Sequence, residues 1–212
     1  MFKKCLFVIV FVLFSSTLFA HDASEMVFSP KIGLGISKAY TDPFTEERPD
    51  LEFVWNIGAV FEYFLNSKIS FIGELLYESQ PLLFKNKYSN DTLLFNFSYI
   101  TIPIGIHYFV PILPGYYLTL GGGLYYGFVC RSKLTEKIDG VKDTWTINDA
   151  KNDIGAFIDC GLNFELYNPG VLSVYLRFKI GVDGLLGENT YGYSTKIKPS
   201  TTTLNIAYGF KF

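Results

Sequence analysis

Eight stretches of the chain alternate apolar and polar residues with a period of two, and the connections between them alternate strictly long and short. The stretches are Lys31 to Tyr40, Leu51 to Leu65, Ile69 to Gln80, Thr92 to Val110, Tyr116 to Arg131, Asp153 to Leu166, Val171 to Val182 and Thr201 to Phe212. Side chains alternate faces along a strand, so each stretch has one greasy and one polar side. In the second, Phe53, Trp55, Ile57, Ala59, Phe61, Tyr63 and Leu65 share a face, with Glu52, Asn56, Gly58 and Glu62 opposite. The seventh sets Leu172, Val174, Leu176, Phe178 and Ile180 against Ser173, Tyr175, Arg177 and Lys179.

A soluble sandwich would tolerate that alternation, but it has no reason to sort its loops. The long connections are Thr41–Asp50, Pro81–Asp91, Ser132–Asn152 and Asp183–Ser200; the short ones are Asn66–Lys68, Pro111–Gly115 and Tyr167–Gly170. An even number of strands, short turns at one end and long loops at the other describe an outer-membrane barrel with both termini in the periplasm. The expected fold is therefore all-β, an eight-stranded antiparallel up-and-down transmembrane barrel over residues 21–212. Composition agrees: 18 % of the residues are aromatic, more than a soluble core needs, as girdles at two bilayer interfaces require. The last stretch places Leu204, Ile206, Tyr208, Phe210 and Phe212 on one face. A terminal aromatic at that parity resembles the signal by which the barrel-assembly machinery recognises its clients.

The first twenty residues read as an address. Lys3 and Lys4 precede a nine-residue apolar run, Leu6 to Phe14, and a polar segment ending at Ala20. That run is too short to span a bilayer, which takes about 20 residues, so a signal peptide cleaved after Ala20 is expected. Its removal leaves a mature chain near −4 with no basic patch of the kind that binds nucleic acid.

The segment Tyr99-Ile100-Thr101-Ile102-Pro103-Ile104-Gly105-Ile106-His107-Tyr108-Phe109 resembles the Y-L-E-I-P-L-L-x-K-Y segment of the PorT-like, porin-family group of small outer-membrane β-barrels. Thr101 stands where that family usually has an acid. The resemblance implies a membrane barrel; some members assist protein secretion, and most have no assigned activity. Pro103 removes a ladder donor, so a bulge is expected beside it. Such a bulge would also reconcile Phe95 and Phe97, taken as lipid-facing, with Thr101 and Pro103 of the same parity.

The polar faces send Glu62, Glu74, Glu78, Asp159, Asn163, Glu165, Arg177, Lys179 and Lys211 into the lumen, with Tyr125 and Phe157. Asp159 is expected opposite Arg177 or Lys179. A lumen of eight strands is just wide enough for side chains to fill. Charges of both signs there predict a paired network (Glu62, Glu74, Asp159, Glu165, Arg177, Lys179) rather than a water path. A narrow channel for small solutes is the second reading.

A lipid-modifying enzyme is the third reading. It would need a nucleophile beside a base, and His107 has Gly105 and Phe109 two positions away rather than serine. No catalytic residue, metal site or cofactor is expected. Cys130 and Cys160 fall on the lipid face of adjacent strands, with Cys160 expected opposite about residue 124, too far from Cys130 to bridge. Gly121-Gly122-Gly123 and Gly33-Leu34-Gly35 have no following helix and so make no phosphate loop. Trp145, Tyr191 and Tyr193 on long loops are the candidate contacts for an extracellular ligand.

Overall fold

The computed structural model describes residues 25–42, 47–86, 88, 91–138, 141–147, 150–166, 170–182 and 196–212. The expected signal segment, Tyr191 and Tyr193 lie outside these. Among the described residues there are ten strands: β1 (Met26–Asp42), β2 (Glu47–Asp50), β3 (Glu52–Asn66), β4 (Ile69–Asn86), β5 (Thr92–Leu113), β6 (Tyr116–Ile138), β7 (Val141–Thr146), β8 (Asp153–Glu165), β9 (Gly170–Gly181) and β10 (Lys196–Lys211). Eight of them pair antiparallel in the order β1-β3-β4-β5-β6-β8-β9-β10, and β10 returns to β1. This is the closed eight-stranded barrel expected from the alternation. Closure leaves no transmembrane edge unpaired, which a lipid environment requires.

The tight turns explain the short end. Asn66 Oδ1 accepts the backbone N–H of Lys68 at 2.8 Å and of Ile69 at 2.9 Å, closing the β3–β4 hairpin. Between β5 and β6, Gly115 adopts φ of 77°, a left-handed conformation that costs glycine nothing. The first and last strands of the barrel meet at this rim, where Met26 and Phe212 exchange backbone hydrogen bonds of 3.3 and 3.0 Å.

The opposite rim is built differently from the expectation. Segments read as long loops are largely strand: β4 continues to Asn86, β6 continues to Ile138, and β7 folds back onto it as a hairpin. The Thr41–Asp50 connection contains β2, which pairs with β4. At 22 and 23 residues, β5 and β6 are about twice the 9–11 that cross a bilayer. The excess stands above the membrane as a ribbon. Charged and turn-forming residues such as Lys85, Lys133 and Lys137 masked these extensions in the sequence, because strand that projects into water need not alternate apolar with polar.

The register also corrects the bulge. The ladder between β4 and β5 is interrupted across Glu74 and Leu75 opposite Ile102 and Pro103, then resumes unshifted. The bulge lies on β6 instead, where Ser98 faces Arg131 but Tyr99 faces Val129, leaving Cys130 unpaired. Phe95 and Phe97 are not lipid-facing: they point inward with Tyr99, Thr101 and Pro103 in one unbroken parity. Cys160 faces Leu120 rather than residue 124, so the two exposed thiols are about 30 Å apart along the sheet at ~3.3 Å per residue, and both are free.

Outside, the barrel is apolar. Ile32, Leu34, Ile57, Leu75, Ile102, Ile104, Leu124, Ile158, Leu176 and Ile206 are all exposed. Aromatics ring this band: Trp55 packs on Tyr77 and Tyr126 on Phe128 toward the long end, with Tyr116–Phe164 and Tyr208–Phe210 toward the short end. An exposed surface of this kind suits lipid and not water.

Candidate functional site: a layered lumen

The inward side chains sort into three layers. Nearest the long rim, Ala39, Leu82, Phe84, Phe95, Phe97, Tyr99, Leu134 and Ile147 form an apolar cluster. Its aromatic column runs Phe84, Phe95, Phe97, Tyr99 with ring centroids 5.7, 6.2 and 6.0 Å apart. At the short rim, Val27, Phe64, Phe109 and Tyr117 make a second cluster. Between them lies a charged layer.

That layer is a continuous chain of groups alternating in sign. Lys31 Nζ donates to Glu74 Oε2 at 2.7 Å. Arg177 donates to both oxygens of Glu74 at 2.8 Å, and to both of Asp159 at 2.8 and 2.7 Å. Asp159 Oδ2 then lies 3.2 Å from His107 Nε2, and His107 Nδ1 lies 3.1 Å from Glu62 Oε1. With a carboxylate at each ring nitrogen, the arrangement suits a histidine that donates from both. Ser70 donates to Glu62 at 2.5 Å. One guanidinium therefore grips two carboxylates in bidentate fashion, the strongest geometry open to it.

Packing fixes this geometry. Asp159 and Arg177 are directly opposite in the β8–β9 register. The Arg177 guanidinium lies 4.1 Å from the centroid of the Phe157 ring, which holds it against the wall. His107 reaches over β6 to Asp159 because the residue between them on β6 is Gly121, where a Cβ would meet His107 Cδ2 at 2.2 Å. The central glycine of a strand thus makes room for a ring, as close approach in sheets demands.

Each residue singled out from the sequence has a place. Glu62, Glu74, Asp159 and Arg177 join the chain just described. Lys179 does not meet Asp159; it donates to Glu78 at 2.5 Å, and Thr101 donates to the same oxygen at 2.7 Å. At the position where the PorT-like segment has an acid, this chain therefore has a hydroxyl donating to a carboxylate from the next strand. Glu165 is separate, pairing near the short rim with Lys211 at 2.5 Å and accepting from Tyr117 at 3.2 Å. Trp145 sits on β7 opposite Leu134, 45 % exposed. The sequence reading left out Lys31 and His107. Lys31 opens the first stretch at its polar parity, a signal that was available. His107 is a lone histidine in the sequence, expected in the lumen or at the interface, and only strand pairing in the closed sheet brings Glu62 and Asp159 to it.

Ser70 stands opposite His107 in the β4–β5 ladder, a pairing that invites comparison with a nucleophile and its base. The serine donates to Glu62, however, and both ring nitrogens of His107 face carboxylates. No ring nitrogen is left to take a serine proton. Among the described residues, no group of three or more His, Cys, Asp and Glu is placed to hold a metal ion.

Two small voids flank the charged layer. One of about 20 Å³ is lined by Ser29, Glu62, His107, Thr119, Asn163 and Tyr175 among others; one of about 10 Å³ lies beside Asn56, Glu78, Gln80 and Lys179. Each holds roughly a water molecule.

An antiparallel eight-stranded barrel with an apolar belt, aromatic girdles and a polar interior defines the class of small outer-membrane barrel proteins. The family model described as outer membrane protein beta-barrel domain matches residues 19–187, and the chain belongs to that family. Its place is the bacterial outer membrane. No curated protein matches the sequence. Among solved structures it is similar to the outer membrane protein OprG from Pseudomonas aeruginosa, at 12 % identity and a TM-score of 0.53, covering 91 % of this chain and 98 % of that one. It is also similar to Ail, the attachment invasion locus protein of Yersinia pestis, at 16 % identity and a TM-score of 0.43, covering 90 % and 99 %. A third, Neisserial surface protein A, is 12 % identical with a TM-score of 0.45, covering 87 % and 97 %. The OprG likeness shows the fold alone.

Proposed function

We propose that this chain is a filled, non-conducting barrel with a structural, envelope or surface-binding role, acting through its exterior and extracellular rim. The observation that carries this reading is the ion chain from Lys31 to Glu62, which links β1, β4, β9, β8, β5 and β3 through the lumen with every charge engaged. A permeating ion would have to displace a guanidinium held by two carboxylates. Voids of about 20 and 10 Å³ support the same reading, being far smaller than a hydrated ion's path. The aromatic column from Phe84 to Tyr99 is a second, apolar barrier in series.

Planar-bilayer recording tests it. The refolded full chain is expected to add no discrete openings to the baseline; reproducible single-channel steps would overturn the filled lumen and favour a narrow solute channel. Export belongs to the same proposal: residues 1–20 act as a signal cleaved after Ala20, and the strand ending at Phe212 is read by the assembly machinery. The Tyr99–Phe109 segment supports placing the chain in the PorT-like branch. Surface contact through Trp145, Tyr191 and Tyr193 fits a rim raised above the bilayer.

A further inference from the structure

Above the upper aromatic girdle, charge is sorted by face. Along β6, Leu124, Tyr126 and Phe128 point outward into lipid. The bulge at Cys130 then changes parity, so that the outward residues become Arg131, Lys133, Thr135 and Lys137. Were Cys130 to take an ordinary place in the ladder, Leu134, now 4 % exposed in the apolar cluster, would face out and the cations would face in. Asn152 holds the bulge: its Oδ1 accepts the Val129 N–H at 3.1 Å, while its Nδ2 donates to Tyr126 Oη at 2.8 Å.

On β7 the outward residues are Lys142, Thr144 and Thr146, a parity fixed by the contact of Thr144 Oγ1 with Thr135 Oγ1 at 3.2 Å. On β5 they are Thr92, Leu94, Asn96 and Ser98. This three-stranded outer face therefore carries Arg131, Lys133, Lys137 and Lys142 and no acid among its described residues. The acids of the hairpin, Glu136 and Asp143, lie on the opposite face. Lys137 and Lys142 are direct cross-strand partners, both exposed. Like charges placed opposite one another destabilise a ladder unless an anion lies between them. Lys85 is excluded from the set because its ammonium is engaged by Asp50, whose carboxyl it holds below the usual range.

We infer that the outward face of the β5–β6–β7 ribbon is a binding site for the phosphate groups of phosphorylated lipid in the leaflet surrounding the barrel. The occupant follows from position. The cationic face continues the lipid-facing wall without a break, from Phe128 to Arg131. At ~3.3 Å per residue and a tilt of about 45°, Arg131 and Lys133 stand roughly 5–10 Å above the girdle, at headgroup depth, and Lys137 and Lys142 continue the same face to roughly 20 Å. A soluble ligand would meet the rim from above rather than from the side. The site lies on the outer wall and does not depend on whether the lumen conducts.

Native mass spectrometry of the refolded full chain, extracted from mixed micelles doped with bis-phosphorylated lipid A, provides the test. Wild type is expected to retain the lipid, and the variant R131Q/K133Q/K137Q/K142Q to bind it about tenfold more weakly or worse, since each cation near an anionic surface contributes several-fold. Lipid A stripped of its phosphates should bind wild type no better than the phosphorylated lipid binds the variant. Heat-modifiable gel migration in phosphatidylcholine should be the same for both proteins; if the fourfold variant does not fold, R131Q/K133Q and K137Q/K142Q are compared separately. Equal retention by wild type and variants, or equal retention of the dephosphorylated lipid, overturns the inference. Displacement by excess inorganic phosphate overturns the assignment to lipid in favour of a soluble phosphate.

Discussion

Arg177 is the single side chain on which the interior turns. It is 3 % exposed, and two buried carboxylates depend on it. Removing one partner of a buried ion pair leaves the other charged and desolvated, at a cost of about 3–5 kcal/mol. Arg177→Ala should therefore lower the temperature at which the folded band is lost in heat-modifiable gel migration. The quadruple variant K31M/E74Q/D159N/R177M, which removes two charges of each sign and leaves His107 with Glu62, should recover most of that loss. An Arg177→Ala barrel as heat-resistant as wild type would count against the network as a stabilising feature. Sequence periodicity was sufficient to place Arg177, Glu74 and Asp159 in the lumen, because inward parity is a local property. It was not sufficient to match Lys179 with Glu78 rather than Asp159, since that choice depends on the shear of strands far apart in the chain.

Among the elements, β6 combines two environments on one strand, and its bulge separates them. Below Cys130 its outward residues meet lipid; above it they are cations and threonines. Deleting Cys130 should remove the bulge without turning the rim, because Arg131 then follows Val129 in ordinary alternation and still faces out while Leu134 still faces in. The expected result is heat-modifiable migration and trypsin resistance between Arg131 and Lys142 in reconstituted vesicles that match wild type. New cleavage in that interval would mean that the pairing of β5 with β6 does not set the facing of the rim. The bulge was not legible beforehand: Pro103 gave a local reason for one elsewhere, whereas the actual site is specified by Leu134 needing burial and by Asn152, the residue before β8.

For the whole molecule, the barrel's depth in the bilayer follows from its outer surface and can be read with its own thiols. Cys130 lies just above the upper girdle. Cys160 lies in the middle of β8 between Leu120 and Leu176 on the lipid side. A charged, membrane-impermeant maleimide added to proteoliposomes should label Cys130 and spare Cys160, while a small apolar maleimide should reach both. Labelling of Cys160 by the charged reagent would displace the membrane plane from the apolar band. The same picture explains why strand ends were misread: β4 and β6 run on as a ribbon in water, held by pairing with β2, β5 and β7 rather than by lipid.

By itself the sequence determined the barrel, its strand order, the facing of its membrane-spanning stretches and its location, because each rests on period-two alternation and on loop lengths, which neighbouring residues encode. Tertiary structure decided what the interior and rim consist of. The apolar cap over the charged layer, the bridging of two carboxylates by His107, and the turn of the β6 cations toward the membrane all depend on which residues meet across the closed sheet. Those meetings are set by register and curvature between strands distant in sequence. Only closure of the ring fixes them.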